Sequence, residues 1–384
     1  MKRAEVPTLR FPEFDDTLKF IEAGKLFRNR KQKGSTNLPL HSVTIDRGLI
    51  ARKELDRNII SNTKPKQNLR ALPQDLVYNM MRMWQGAIGY CETECMISPA
   101  YIVLNPIPDI ESKFYYYFFK SHRGLHLLKS QSYGLTEDRL RLYYKDFKKV
   151  QLANPPKREQ QKIADFLFSV DQKIQQLRRK KELLEEYKKG VMQKLFPKAG
   201  GQHPELRFKK ENGDDFPDWE MKKLWNIAKK NSSSISANKL PENKGIYKMY
   251  GAGGFLQYVD FYEEDEPYIS IVKDGAGVGR ILLCDSFSSV LGTLDVIKPK
   301  GKNNVGFLYA LLSRIRFEKY ITGSTIPHIY FKDYSIQKVS VPHPDEQNRI
   351  ANFIGSIDSK NKILQSMIDS TRTFKKGLLQ QMFI

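Results

Sequence analysis

Glu159-Gln160-Gln161-Lys162-Ile163-Ala164 and Glu346-Gln347-Asn348-Arg349-Ile350-Ala351 decide the fold of this chain, because they are one motif written twice. The match extends in both directions at a constant offset of 187 residues (346 − 159), with no gap. Upstream, Lys145-Asp146-Phe147 answers Lys332-Asp333-Tyr334. Downstream, Phe166, Asp171, Lys188-Lys189-Gly190, Gln193 and Phe196 answer Phe353, Asp358, Lys375-Lys376-Gly377, Gln380 and Phe383. Solenoid repeats run roughly 20–50 residues, so a period this long reads as two copies of a whole module.

Each copy ends in a long helix. In the first, Ile163, Val170, Leu177, Leu184 and Val191 recur every seven residues, with Leu167, Ile174 and Leu195 beside them. In the second, Ile350, Ile357, Leu364 and Leu378 form the stripe, flanked by Ile354, Ile368 and Met382 and broken by Thr371. Sustained heptads predict a coiled coil. Pro155-Pro156 and Pro342/Pro344 stand just upstream, where proline is tolerated at a helix start. About 36 residues at ~1.5 Å each give roughly 54 Å, enough for a molecular ruler.

Ahead of each helix lies a globular half. Pro7-Thr8-Leu9-Arg10-Phe11 is echoed by Pro204-Glu205-Leu206-Arg207-Phe208, and Val103-Leu104-Asn105-Pro106 by Val296-Ile297-Lys298-Pro299. Ala100–Leu104 and Tyr268–Val272 have the β-branched and aromatic content of strands. Phe114–Leu128 and Phe307–Tyr320 read as amphipathic helices packed on them. The expected fold class is α+β: two mixed α/β domains separated by two long helices in an antiparallel coiled coil, with a pseudo-two-fold internal repeat. The expected boundaries are 1–154 and 201–342 for the domains, and 155–200 and 343–384 for the helices. Gln381–Ile384 coincide with the end of the repeat, so the chain is expected to be complete.

The formal net charge is +21 and the pI about 9.6, a field that attracts polyanions. Nucleic acid is the first candidate partner and an anionic membrane surface the second. No apolar run approaches the ~18–20 residues needed to span a bilayer. Met1–Pro7 lacks the apolar core of a signal peptide, and three cysteines point to a reducing compartment. A cytoplasmic location is expected.

Together these features resemble the specificity subunit of type I restriction-modification systems. The resemblance rests on Val77-Tyr78-Asn79 with Trp84-Gln85-Gly86-Ala87-Ile88-Gly89, on Ser98-Pro99-Ala100-Tyr101, on Gly323-Ser324-Thr325-Ile326-Pro327-His328-Ile329 and on the duplicated helix starts. It covers essentially the whole chain. It implies two target-recognition domains, each reading one half of a split asymmetric site in double-stranded DNA. It also implies that the helices set the gap and dock modification (methyltransferase) subunits, two of them expected, with restriction subunits joining. No catalytic residue, cofactor or metal is expected in this chain. One departure is plain: the first half has Gly134-Leu135-Thr136-Glu137-Asp138-Arg139 near where the second has Gly-Ser-Thr-Ile-Pro.

Charge supplies affinity through counterion release, but reading bases needs Arg, Lys, Asn, Gln or His at base edges. In the first half the DNA-binding candidates are Asn79, Arg82 and Gln85. In the second they are Lys248, Tyr250, Lys273, Arg280, Thr325 and His328. Each Lys or Arg has the plainer reading of a solvated charge. Gly86 and Gly323 are expected to permit turns rather than touch DNA, and Trp84 to be a packed core residue. Arg178-Arg179-Lys180-Lys181 reads equally as a phosphate contact or a solvated helix face.

Four motifs imitate catalysis. Asn154-Pro155-Pro156-Lys157 lacks the aromatic of an adenine methyltransferase motif, and its position explains it as a helix start. Gly275-Ala276-Gly277-Val278-Gly279 misses cofactor-loop spacing and leads into a strand, so a hairpin turn is expected. Pro217-Asp218-Trp219-Glu220-Met221-Lys222 has nuclease letters crammed together. Cys91, Cys95, His122 and His126 make only a nominal zinc set, and the second half has no equivalent. The function expected is sequence-specific DNA recognition. The competing classes are a stand-alone DNA-binding regulator, a methyltransferase or nuclease with its own reader, and an RNA binder.

Overall fold

The computed structural model describes residues 6–35, 37–55, 67–198, 201–240 and 242–384. The start of the chain at Met1–Glu5 and position 200, the expected end of the first helix, fall outside them. Among the described residues no helix is long and apolar enough to cross a membrane. The chain divides into two compact units. Unit 1 comprises Met1–Arg178 with Ser366–Ile384, and unit 2 comprises Arg179–Gln365.

In unit 1 the strands are β1 (Lys19–Glu22), β2 (Phe27–Asn29), β3 (His41–Thr44), β4 (Gly48–Ala51), β5 (Leu69–Ala71), β6 (Leu76–Asn79), β7 (Ile88–Tyr90), β8 (Cys95–Ile97), β9 (Tyr101–Pro106) and β10 (Gln151–Asn154). The central sheet runs β2-β9-β6-β7, antiparallel throughout. Alternate residues of a strand face opposite sides. Accordingly Leu76, Tyr78 and Leu104 enter the large core, while Val77 and Val103 enter a smaller one under β3, β5 and β8. The large core is completed by helix α1 (Ser112–Lys120), which contributes Phe114, Tyr115, Tyr117, Phe118 and Phe119.

The helix expected over 114–128 is instead two, α1 and α2 (His122–Ser130). Ser121 makes the break. Its hydroxyl donates to Phe118 O (2.7 Å) and accepts from Gly124 N (3.0 Å), capping α2 while closing α1. A Cβ on Gly124 would lie 2.0 Å from Phe118 O, so the corner requires glycine.

The first long helix, α3 (Lys157–Leu195), leaves unit 1 after Arg178. Unit 2 repeats the plan with β11 (Glu220–Lys223), β12 (Ala228–Ser232), β13 (Tyr247–Gly251), β14 (Gly254–Val259), β15 (Tyr268–Val272), β16 (Ile281–Cys284), β17 (Ser288–Val290) and β18 (Leu294–Pro299). Its sheet runs β12-β18-β15-β16, again antiparallel. Ile269, Ile271 and Ile297 face the large core; Tyr268, Val272 and Val296 face the smaller. Helix α4 (Val305–Leu312) covers the large-core side, and β19 (Lys338–Val341) leads to the second long helix, α5 (Pro344–Gln381). The helix expected over 307–320 thus ends at Leu312, and Phe317–Tyr320 is a separate 3-10 turn. Ser313 hydroxyl bonds back to Ala310 O (2.7 Å), using the local hydrogen bonding by which serine competes with helix continuation.

The duplicated motif explains how the helices are fixed. Glu159 is buried and takes two hydrogen bonds from Arg10 (2.7 and 2.8 Å); Glu346 takes two from Arg207 (3.1 and 2.8 Å). Gln160 accepts from Glu111 N (2.9 Å) and donates to Pro155 O (2.8 Å), and Gln347 does the same with Asn304 N (2.9 Å) and Pro342 O (3.0 Å). Asn154 of the methyltransferase-like motif is spent on Tyr115 hydroxyl (2.7 Å) and Gln160 (2.9 Å), which is a helix-start role.

Each unit is closed by the end of the other copy's helix. In unit 1, Leu9 N donates to Gln381 O (3.0 Å), and Leu378, Met382 and Phe383 lie in the core. In unit 2, Leu206 N donates to Lys194 O (3.0 Å), and Leu195 and Phe196 lie in the core. The helices run antiparallel within each unit. Lys375 binds Asp171 (2.6 and 2.7 Å) in unit 1, and Lys188 binds Asp358 (2.5 Å) in unit 2. These are the same repeat pair, each joining the aspartate of one copy to the lysine of the other. Ile163, Val170, Leu177, Ile350, Ile357 and Leu364 are buried along the helices, and Leu184 is half-buried.

Candidate nucleic-acid interface

Two loops of unit 2 bring four sequence candidates together. The β15–β16 hairpin turns through Lys273–Arg280, with Gly275, Gly277 and Gly279 all at positive φ. This is a turn between strands, as its sequence implied. Beside it, Thr322 and His328 pair through reciprocal backbone hydrogen bonds (2.9 and 2.8 Å). Gly275 N then donates to Pro327 O (2.9 Å) and Ile329 N to Lys273 O (3.0 Å), zipping the two loops side by side. Lys273, Arg280, Thr325 and His328 therefore share one patch. At Gly323, φ is +87° and a Cβ would lie 2.5 Å from Ile326 O, so glycine is required for the tight turn.

The charges of this patch are partly committed. Lys273 Nζ lies 3.5 Å from the buried carboxylate of Asp295, and Arg280 donates to Ala252 O (3.0 Å). Thr325 is exposed, and the His328 ring packs edge-on against Tyr330 at 5.1 Å. Lys248 and Tyr250 form a separate group on β13: both bind Asp285, at 2.6 and 3.1 Å. The Lys248 ammonium holds the Asp285 carboxyl below its ordinary pKa, and Asp285 raises that of Lys248. The Tyr250 ring is buried, and burial pushes its hydroxyl above the ordinary tyrosine range.

In unit 1, Asn79, Arg82 and Gln85 lie on or beside the β6–β7 hairpin. Asn79 Oδ1 accepts from Met81 N (3.0 Å), so half of its amide shapes the turn; Arg82 and Gln85 are exposed. Gly86 takes φ +88°. Trp84, expected in the core, is half-buried on the turn Met83–Gln85, its indole N–H donating to Met81 O (3.2 Å) and Lys129 lying 5.5 Å from its ring. An indole with a polar handle is well served at the surface, and apolarity alone misplaced it.

The loop that lacks Gly-Ser-Thr-Ile-Pro takes the same place by other means. Tyr133 and Arg141 pair reciprocally (3.2 and 3.0 Å), as Thr322 and His328 do. Leu142 N donates to Met80 O (3.0 Å), matching the bond from Ile329 to Lys273. Arg141, exposed, thereby stands where unit 2 has His328. Sequence comparison missed it because the two loops differ in length and composition. A second omission is the exposed aromatic surface around β13–β14, where Phe255 packs on Tyr258 (5.0 Å) and Tyr262 on Tyr247 and Phe287 (4.8 and 5.3 Å). Its signal was the run Phe255-Leu256-Gln257-Tyr258.

Cys91 and Cys95 lie 3.8 Å apart in the smaller core, where Cys91 and the nearby His41, rather than His122 or His126, hold the Cys95 thiol below its ordinary range. Among the described residues no group of three or more His, Cys, Asp or Glu side chains could hold a metal ion.

Residues 14–186 and 217–370 match the family described as "Type I restriction modification DNA specificity domain", one match on each copy of the repeat. The chain belongs to that family. It is 27% identical over 255 residues to the MjaX specificity subunit of Methanocaldococcus jannaschii, covering 60% of this chain and 58% of that one. With the type I restriction enzyme MjaIX specificity subunit of the same organism it shares 24% identity over 311 residues, covering 75% and 72%. The chain thus spans under two thirds of the length of the first of these relatives. The fold matches that of the type I restriction-modification system S subunit from M. genitalium, with a TM-score of 0.68 over 99% of both chains at 17% identity.

Proposed function

We propose that this chain is the DNA-recognition subunit of a type I restriction-modification assembly, with each unit reading one half of a split, asymmetric site in double-stranded DNA. The observation that carries the reading is one scaffold presenting two different surfaces. Paired loops on the same sheet edge display Lys273, Arg280, Thr325 and His328 in unit 2, but Asn79, Arg82, Gln85 and Arg141 in unit 1. Arg and Asn can each pair bidentately with base edges, and a change of side chains on a constant frame changes the bases read.

In this reading the chain catalyses nothing. Methyltransferase subunits, two by the symmetry of the repeat, flip and methylate the adenine of each half-site, and restriction subunits join them. The long helices serve as the gap-setting element and as the dock. Their inward stripe is used up within the chain, but Leu183 and Tyr187 on α3, and Ile363, Met367 and Phe374 on α5, are exposed at near-heptad spacing. Such a stripe fits a partner helix.

The test is an exchange. Replacing residues 217–340 by the corresponding part of a relative with another specificity should change one half-site of the recognised sequence and leave the other intact. A change in both halves, or in neither, would sink the modular reading.

A further inference from the structure

Unit 1 carries a cleft of about 780 Å³ that the base-reading loops do not use. It opens between the β3–β4 hairpin, α1 and the long helices, and six cationic side chains line it: Arg47, Lys113, Lys120, Arg178, Arg372 and Lys375. Three carboxylates share it, Asp46, Glu92 and Asp171. Asp171 is already taken by Lys375 (2.6 Å) and Tyr117 hydroxyl (2.9 Å), which is the scaffold pair both units possess. Lys113 lies over the rings of Phe168 (4.1 Å) and Tyr90 (4.8 Å), and Lys120 donates to Ile45 O (2.9 Å). Arg372 also bonds Asp369 on its own helix (3.3 Å), and with that acid counted the cleft still holds more cationic than acidic groups.

That excess is peculiar to unit 1. The matching backbone bonds of Glu111 to Gln160 and Asn304 to Gln347 align α1 with α4, which places Gly306 and Ser313 at the positions of Lys113 and Lys120. On the long helices the 187-residue offset places Gln365 and Glu185 at those of Arg178 and Arg372. A charge required by the scaffold would recur with the scaffold. These four do not.

We infer that this cleft holds backbone phosphates of duplex DNA beside the half-site read by unit 1. The inference rests on the DNA-recognition reading above. Phosphates are the occupant the geometry favours, because the cations come from separate elements around an open cleft. They can thus meet charges spaced along a strand rather than one compact anion. Burial, and the neighbouring Lys375, push the Lys120 ammonium down to about 8, so an incoming anion would relieve a charge held at a cost.

The test is the salt dependence of duplex binding by the full chain, read by fluorescence anisotropy with a 30-base-pair DNA. Each phosphate contact contributes about 0.9 to the slope of log K against log salt. The triple variant Lys120→Met, Arg178→Ala, Arg372→Ala should lower the slope by about 2–3 and weaken binding at 0.1 M salt by on the order of 10–100-fold. Lys19→Met with Lys149→Met, both exposed and outside the lining of the cleft, should change neither by more than about twofold. As an independent reading on the unaltered chain, bound DNA should protect Lys113 and Lys120, but not Lys19 or Lys149, from acetylation by an N-hydroxysuccinimide ester. An unchanged slope with no protection, in a chain that binds DNA, would overturn the cleft and leave the recognition reading standing; another occupant, such as an acidic protein segment, would give that result. Failure of the wild-type chain to bind duplex at all would overturn both.

Discussion

Lys120 shows what a single residue contributes and costs. Its ammonium is drawn among Tyr116, Lys375, Asp171 and Asp46, and burial lowers its pKa from the ordinary 10.5 to about 8. The folded chain therefore holds this proton less tightly than the unfolded chain does. Between about pH 8 and 10.5 the unfolded state binds more protons, so stability rises with pH across that window, and below it the full penalty is present. Lys120→Met should accordingly stabilise the protein at pH 7, by about 1–3 kcal/mol. The gain in thermal midpoint should shrink as the pH is raised from about 8 towards 10.5. Equal midpoints at pH 7 would show that the ammonium is better solvated than its surroundings imply.

At the scale of elements, the helix starts are the firmest joints. Glu159 and Glu346 sit in the first turns of α3 and α5, where the helix dipole favours negative charge, and each is buried under an arginine fork. Removing the arginine leaves an uncompensated buried carboxylate. Arg10→Ala and Arg207→Ala should each cost about 3–5 kcal/mol in urea denaturation. A loss below about 1 kcal/mol would mean that water replaces the guanidinium. The long helices, their proline starts and the strands were legible in the sequence, because heptad and two-residue periods survive without tertiary context. The break at Ser121 was not, since six consecutive aromatics from Phe114 to Phe119 hide a turn made by one hydroxyl and one glycine. The site was legible where residues adjoin on a hairpin, as Lys273 and Arg280 do. It was illegible where a backbone bridge brings distant loops together, as at Arg141, or where a tyrosine such as Tyr250 turns its ring inward.

At the scale of the molecule, the repeat is a trade of parts. The end of each copy's helix fills the core of the unit opened by the other copy, so neither copy is complete alone. Because α3 and α5 both pass from one unit into the other, the proposed gap between half-sites follows helix length. One heptad added to each helix at paired positions is about 10.5 Å. At roughly 3.4 Å per base pair this should lengthen the gap by about three base pairs without altering either half-site. An unchanged gap would remove the helices from that role.

The central claim, two units reading two half-sites for partners that do the chemistry, is tested most directly in a methylation-free host. The chain would be co-expressed with its modification subunit and N6-methyladenine mapped across the genome by single-molecule sequencing. The account predicts a split, asymmetric motif with a fixed gap, methylated only when both chains are present. A contiguous motif, or no methylation from a pair shown to form a stable complex, would contradict it.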